Sequence, residues 1–352
     1  MGRYIARRLL WMMVVLFFAS LITFGLMHSV PGGPFDREKA LPAEIIANLN
    51  ARYHLDEPLY MQYLRYMSAI TVPHLSSVPP GVSLEDDAFF NIKVSENSWL
   101  KWMDFGPSYR SVSRTVNDIF KEQLGLSFQL GFMALVFAII VGLPLGILAA
   151  LRQNTFWDYG GMSIAILGIS VPVIVLGPIL VAIFAVGLGW FPPTGWGAQP
   201  PWVLGLFPRE INLEYFRYAC LPVVALGFGS TAIIARLSRA SLLQVTREDY
   251  IRTARAKGLV ERLVITRHAL KNSLIPVVTI LGPLFAALVT GTFVTELIFG
   301  LPGMGKYFVT AISNRDYPVI MGTILLYAFV LVIANLAVDL IYAWLDPRIR
   351  YS

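Results

Sequence analysis

Six apolar stretches divide this sequence, and they constrain its fold more than any other feature. Leu9 to His28 supplies about 20 mostly apolar residues, enough at a helical rise of about 1.5 Å each to cross a hydrocarbon core of about 30 Å. Gln129–Leu151, Gly160–Leu188, Leu221–Ala235, Leu274–Thr295 and Val319–Leu345 follow, the fourth being the shortest. A chain in lipid must satisfy its backbone polar groups internally, so the predicted class is an all-α polytopic membrane protein with six transmembrane helices. Composition agrees: 56% of the residues are hydrophobic and 14% charged, where soluble domains carry about 25% charged residues.

Charge sets the expected orientation. With the N-terminus inside, the inner segments hold fifteen basic residues: Arg3, Arg7, Arg8, Arg152, nine in the loop between the fourth and fifth spans, Arg348 and Arg350. The same segments hold five acids, Asp158, Glu248, Asp249, Glu261 and Asp346. Lys and Arg near span ends are retained in the cytoplasm, which places both termini there. The basic start and apolar core imitate a signal peptide. The apolar run is too long for one and no small-x-small site follows, so an uncleaved first span is expected. The net charge of +6 lies mostly in these inner segments and is not a nucleic-acid signal. Cys220 is the single cysteine, and His28, His54, His74 and His268 are scattered, so neither a disulfide nor a metal site is expected.

The chain divides into three regions: 1–29 with the N-terminus and first span, an extracytoplasmic segment over 30–126, and a five-helix core over 127–352 with a cytoplasmic loop at 236–273. In the outer segment, Leu41–Tyr53 is predicted helical with Pro42 in its first turn. A second helix starts at Asp56-Glu57-Pro58, with Leu59, Tyr60, Tyr63, Leu64 and Met67 as its apolar stripe. Pro73–Pro80 is a breaker-rich link, and Val82–Trp102 is acidic and aromatic, with Glu85, Asp86, Asp87, Phe89, Phe90, Trp99 and Trp102. These suggest a small lid or docking surface. Val116–Gln123 reads as a helix leading into the second span. Pro144, Pro172 and Pro178 read as kinks or as path-lining breaks. Trp190, Trp196 and Trp202, in an outer loop, suit an interface belt.

The polar loop carries the most specific signal. Glu248 to Gly258 reads EDYIRTARAKG. Arg236, Arg239, Arg247, Arg252, Arg255, Lys257, Arg262, Arg267 and Lys271 face only Glu248, Asp249 and Glu261. Tyr250–Lys257 contains no Pro or Gly, and Gly258 stands at the position of a helix C-cap. A short helix outside the bilayer is predicted. It is either a solvated basic element that fixes topology and touches anionic lipid, or a docking helix. In the second case Tyr250 is an aromatic anchor, and Ala254 and Ala256 allow close approach of a partner.

The string EDYIRTARAKGL, followed by His268-Ala269-Leu270-Lys271-Asn272 and Ile275-Pro276, resembles the coupling loop of the bacterial oligopeptide, dipeptide and nickel ABC-importer permease family. Thr253-Ala254-Arg255 occupies the Glu-Ala-Ala positions of importer loops in general, Gly258 matches their Gly, and Lys271 replaces a Pro. Near the outer end of the first span Gly33 replaces the Asp of a Pro-Gly-Asp-Pro pattern, and roughly Leu75–Trp102 reads as an insertion. The resemblance implies a type I ABC importer permease fold in a bacterial plasma (inner) membrane. It implies ATPase contacts through Glu248, Asp249, Tyr250, Arg252, Thr253, Ala254, Arg255, Ala256, Lys257 and Gly258. It also implies an outer loop or gate built on Glu296, Pro302, Gly303, Gly305, Asp316 and Tyr317. The implied partners are a second, similar permease, two cytoplasmic ATPases that bind ATP and Mg, an external solute-binding protein and membrane lipid. The chain itself would then bind no cofactor and catalyse nothing. Peptides, nickel chelates and sugars all fit such a permease.

Two further segments have more than one reading. Gly300–Lys306 has the spacing of a phosphate-binding loop, but Tyr307 stands where a Ser or Thr hydroxyl is needed and no buried strand precedes it. The segment reads instead as a re-entrant element near the outer mouth, or as a simple turn-rich connector. Asn335, Asp339, Tyr342 and Asp346 share one helix face. Asp339, an acid within a span, is either a relay or, the preferred reading, a structural partner of loop arginines near the inner interface. A stand-alone secondary transporter or channel, and a membrane sensor, are the alternatives to an importer subunit. Neither accounts for the loop string.

Overall fold

The computed structural model describes residues 2–35, 42–80, 82–83, 87–111, 113–290 and 292–345. Glu85, Asp86, Asp346, Arg348 and Arg350 lie outside the described residues, as do the side chains of Arg3 and Tyr342.

The first span is α1 (Gly2–Ser29). The outer segment holds α2 (Ala43–Arg52), α3 (Leu59–Thr71) and a three-stranded antiparallel sheet of β1 (His74–Ser76), β2 (Phe90–Ser95) and β3 (Ser98–Trp102) in the order β1-β3-β2. Both helices were legible from their apolar spacing. The sheet was not. In register, Phe90 pairs with Trp102 and Ile92 with Leu100, while Lys101 opposes Asn91 and His74. The sheet therefore exposes Phe90, Ile92 and Val94 and buries Lys101 completely. That inverts the alternation by which a half-buried strand is usually recognised. Asp87 is not on an open surface. It is buried, accepts a hydrogen bond from Thr115 Oγ1 (2.9 Å) and faces Lys121 at 3.7 Å.

Val116–Gln123 and the second span are one helix, α4 (Val116–Leu151). Thr115 caps it: its side chain accepts from Asp118 N, and the Asp118 carboxylate accepts from Thr115 N (3.0 Å). The third span is broken. α5 (Phe156–Ser170) and α6 (Val173–Leu180), which continues into a π-helical turn at Val181–Gly187, meet at 109°. Pro172 has no N–H to offer and keeps Val171 extended (φ −93°, ψ 112°), which ends α5 there. Pro144, Pro222 and Pro283 sit inside intact helices.

The fourth span is much longer than expected: α7 runs Leu213–Val245. Arg236 and Arg239 therefore belong to the helix and not to the loop. The loop holds α8 (Asp249–Ala256), α9 (Glu261–Leu263), a π-helical turn at Val264–Ala269 and α10 (Leu270–Ser273). The fifth span, α11 (Ile275–Thr290), leads into the short α12 (Phe293–Ile298) and α13 (Met304–Asn314), and α14 (Tyr317–Leu345) is the sixth. Among the described residues, five helices are long and apolar enough to cross a membrane, and the bent pair makes six.

Small residues decide how closely these helices approach. A Cβ on Gly142 would lie 2.6 Å from the Thr231 carbonyl oxygen, and one on Gly146 would overlap the Ala235 carbonyl. From the α7 side, a Cβ on Gly227 would lie 2.7 Å from the Ala134 carbonyl oxygen. α4 and α7 thus touch backbone to backbone, the packing that drives helix association where apolar burial drives little. The outer loop is held by its tryptophans rather than left at the interface. Trp202 is buried on α4, donates to the Glu122 carbonyl (2.8 Å) and fills the space over Gly125, while Trp190 alone of the three is exposed.

Gly146→Leu should force α4 off α7 and destabilise the protein by roughly 1–3 kcal/mol or more. Gly160→Ala, at a helical glycine with no atom within 4 Å of the added Cβ, should be neutral or slightly stabilising. Thermal unfolding of the two variants in the same detergent distinguishes them, and equal midpoints would contradict this account of the α4–α7 contact.

Candidate functional site

One end of the bundle, the inner one in the expected orientation, is built on α8. Its underside is apolar: Ile251 and Ala254 are buried against Ala150 of α4, Leu242 of α7, and Val264 and Ala269 of the π-helical turn. Ala254 therefore packs inward and does not meet a partner. Its small size serves the chain's own fold. Tyr250, Arg252, Thr253, Arg255, Ala256 and Lys257 face outward. The helix begins at Asp249, one residue earlier than expected, with Glu248 at the N-cap position but making no side-chain cap bond. Asp249 in the first turn and Arg255 in the last complement the helix dipole. The C-terminus closes in a Schellman motif. Leu259 N donates to Ala254 O (3.4 Å) and Gly258 N to Arg255 O (2.9 Å), and Gly258 has φ +76°. Leu259 then packs on the same cluster as Ala254.

Two side-chain links pin α8 to the C-terminal half of the loop. Asn272 Nδ2 donates to the Tyr250 hydroxyl (2.8 Å), and Arg255 pairs with Glu261 (2.7 Å). The hydrogen bond from Arg255 holds the Glu261 carboxyl below its ordinary range. A stronger link joins α7 to α5. Arg239 of α7 bonds both oxygens of Asp158 on α5, at 2.6 and 2.7 Å, and Asp158 is buried. Asp158 also accepts from Asn154 N (3.0 Å). Neither residue stood out in the sequence. An acid one turn into a span and an arginine near the end of another were the only signals.

The opposite end, the outer one in the expected orientation, carries a helical hairpin. Glu296 on α12 is buried, and its carboxylate accepts from Ser127 Oγ of α4 (2.7 Å) and from Lys306 N (3.2 Å). Ser127 Oγ in turn accepts from Met304 N (2.9 Å). The free N–H groups of α13 are thus met by a carboxylate and a hydroxyl. A Cβ at Gly303 would run into the Glu296 carboxylate, and one at Gly305 would lie 2.7 Å from the Phe293 backbone. Both glycines are required by the turn. Pro302 is exposed beside them.

Asp316 and Tyr317 belong to a second locus. Asp316, at the start of α14, accepts from Ser108 Oγ and from Tyr109 N (3.1 Å), and Arg110 Nε donates to Asn314 O (3.0 Å). Burial pushes the Asp316 carboxyl up, against the pull of these bonds. Tyr317 packs near His28 of α1, with ring centroids 5.0 Å apart. The six outer residues therefore form two anchored joints, one on α4 and one on the 104–110 loop. Ser127 and Ser108, which complete them, are too common in type to be singled out in sequence. A third joint was also missed. Gln129 Oε1 accepts from Trp196 Nε1 (3.2 Å) and Tyr215 OH (3.0 Å), while Gln129 Nε2 donates to Leu206 O (2.9 Å). Asp339 pairs with Arg8 of α1 at 2.8 Å, where the sequence suggests a loop arginine.

A bundle of spans with an exposed helix seated at one end and a capped hairpin at the other is the architecture of a multi-pass helical membrane protein. The chain belongs to the family described as binding-protein-dependent transport system inner membrane component, whose model matches residues 142–351, and a model of that component's N-terminal part matches residues 1–79. It is similar to a dipeptide transport system permease protein of Bacillus subtilis, 42% identical over 350 residues, 99% of this chain and 98% of that one. It is also similar to oligopeptide transport system permease proteins of Haemophilus influenzae and Escherichia coli, 39% and 38% identical over 351 residues, the whole of each. A solved methionine ABC transporter, MetNI in inward facing conformations, is 20% identical with a TM-score of 0.46, covering 64% of this chain and 94% of that one. The protein is thus an inner-membrane permease component of a binding-protein-dependent system, not a carrier working alone.

Arg239→Ala leaves the buried Asp158 carboxylate without its main partner and should cost about 3–5 kcal/mol. Arg255→Ala breaks an exposed pair and should cost about 0–1 kcal/mol. Chemical-denaturant or thermal stability of the purified variants checks the contrast, and equal losses would refute the structural role given to Asp158.

Proposed function

We propose that this chain is one permease subunit of an ATP-driven importer for peptides or closely related small solutes. It pairs with a second, similar permease around a central path. Two cytoplasmic ATPase subunits carry the ATP and Mg, and an external binding protein delivers the cargo. The observation that carries this reading is the two-sided character of α8. Its lower face is locked to α4, α7 and the π-helical turn, and its upper face is polar, exposed and formed by the residues of the importer-like string. A helix so held transmits a push on its exposed face directly to α4 and α7. Peptide cargo is supported by the full-length similarity to dipeptide and oligopeptide permeases.

Replacing Ala256 with Trp should overpack the contact with an ATPase at a cost of roughly 1–3 kcal/mol, about a tenfold loss of subunit affinity. Ala256 is chosen because it is exposed, unlike Ala254. Gly258→Val meets no atom within 4 Å but must adopt a left-handed backbone, so it strains the Schellman turn and misdirects α9. Both variants should insert normally and lose ATP hydrolysis stimulated by loaded binding protein in reconstituted vesicles. Full stimulation at normal expression would overturn the role of α8.

The orientation is tested separately. A tag near Ser83 should be accessible on intact cells, and one near Glu261 only after permeabilisation. Labelling of the Glu261 tag in intact cells would reverse the topology.

A further inference from the structure

The helix α3 lies in the extracytoplasmic segment, yet its position along α1 is that of an element immersed in the bilayer. The Tyr63 hydroxyl is hydrogen-bonded to Ser20 Oγ (2.8 Å), and Phe24 meets the Tyr63 ring with centroids 5.3 Å apart. Counting from Arg8 at the inner end, 20 residues of helix reach His28, about 30 Å away and so at the far edge of the hydrocarbon. Ser20, Leu21, Phe24 and Gly25 all fall below that edge, Leu21 by about 10 Å. Between the two helices runs a groove of about 460 Å³ walled by Leu21, Phe24 and Gly25 of α1 and Tyr60, Tyr63 and Leu64 of α3.

The groove walls are dry by construction. His28 Nδ1 bonds the Phe24 carbonyl (2.9 Å), Ser29 Oγ donates to the Gly25 carbonyl (2.7 Å), and Tyr63 is paired with Ser20. The outward side of α3 divides sharply. Tyr60 and Leu64, 65% and 57% exposed, border the groove, while Arg65 and Ser68 lie on the adjoining stripe, with Arg65 paired to Glu57 (2.6 Å). An apolar stripe beside a polar one, here Arg65 and Ser68, is the pattern of a helix lying at a membrane interface. The apolar stripe is continuous with α1, a span covered along one face by α14 and left open on its other faces.

We infer that α3 is embedded in the bilayer beside α1, and that the groove between them seats phospholipid acyl chains. The leaflet, the outer one, rests on the orientation proposed above; the burial in hydrocarbon does not. The lipid then completes the packing of α1, and α3 anchors the extracytoplasmic segment to the membrane surface.

The test uses the assembled importer in phosphatidylglycerol–phosphatidylethanolamine vesicles, with Cys220→Ser as background and single nitroxides at Leu64→Cys or Arg65→Cys. The ratio of relaxation by dissolved oxygen to relaxation by a water-soluble nickel chelate should be several-fold higher at 64 than at 65. A phospholipid carrying a photoreactive diazirine on its acyl chain should form adducts within 59–64. Equal ratios at the two positions would place α3 in water and overturn the inference. Exclusion of both reagents at 64, with no acyl adduct, would mean that protein covers the groove, and would overturn it equally. Neither failure touches the importer reading, which stands or falls on the stimulated ATPase assay.

Discussion

The close approach of α4 and α7 is the contact on which the rest of the protein depends. It exists because Gly142, Gly146 and Gly227 let each backbone reach the other's carbonyl oxygens. In lipid, apolar side chains gain little by leaving one hydrocarbon surface for another, so association rests on van der Waals fit. Several other features are fastened to this pair. α5 packs on α7 through the Asp158–Arg239 bonds, the α12–α13 hairpin hangs from Ser127 of α4, and the outer loop is held by Gln129 of α4 and Tyr215 of α7. At the inner end, Ala150 of α4 and Leu242 of α7 form the seat of α8.

Under the proposed function, that arrangement makes the pair a lever, with α8 at one end and the α12–α13 hairpin at the other. α7 is an unbroken helix of 33 residues, and a three-residue turn, Thr246–Glu248, each N–H of which is bonded back to α7, joins it to α8. A displacement of α8 therefore has no loose segment in which to dissipate. The bend at Val171–Pro172 is the contrasting element: α5 is tied to α7, while α6 beyond the bend packs against α12 near Ile298 and Phe299. Gly177 gives the two helices room there, with Ile298 side-chain atoms 3.0 Å from its added Cβ.

Much of this was legible in the sequence, and the failures have a common cause. Span existence, the short helix α8 and its glycine stop follow from apolar length, helix propensity and the αL preference of Gly, which are local properties. The extent of the fourth span was misjudged because Arg236 and Arg239 were read as loop charges. One of them is neutralised by Asp158, 81 residues away in the chain, and such a pairing has no local signature. The sheet escaped because its buried position holds Lys101 and its open face holds Phe90 and Ile92. Ala254 and Ala256 looked equivalent, and only the helical phase relative to Ile251 assigns one to the core and the other to the surface. The two joints of the outer hairpin required Ser127 and Ser108, whose partners are contributed by distant segments.

The placement of charge is consistent with the proposed reading, in which the bundle is driven from outside itself. Among the described residues, the Asp, Glu, Lys and Arg side chains of the candidate spans sit near span ends: Arg7 and Arg8, Asp118 to Glu122, Asp158, Glu214 and Arg217, Arg236 and Arg239, Glu296, and Asp339. Carriers that harness an ion gradient place ionisable groups near the midplane, where protonation or ion binding can reweight two conformations. Here the terminal charges are engaged in fixed structural bonds, Arg8 with Asp339, Arg239 with Asp158, and Glu296 with Ser127. They resist rearrangement and stiffen the ends of the spans. Under the proposed function, force enters such a bundle through an exposed, firmly seated element. α8 is the element at its inner end built in that way.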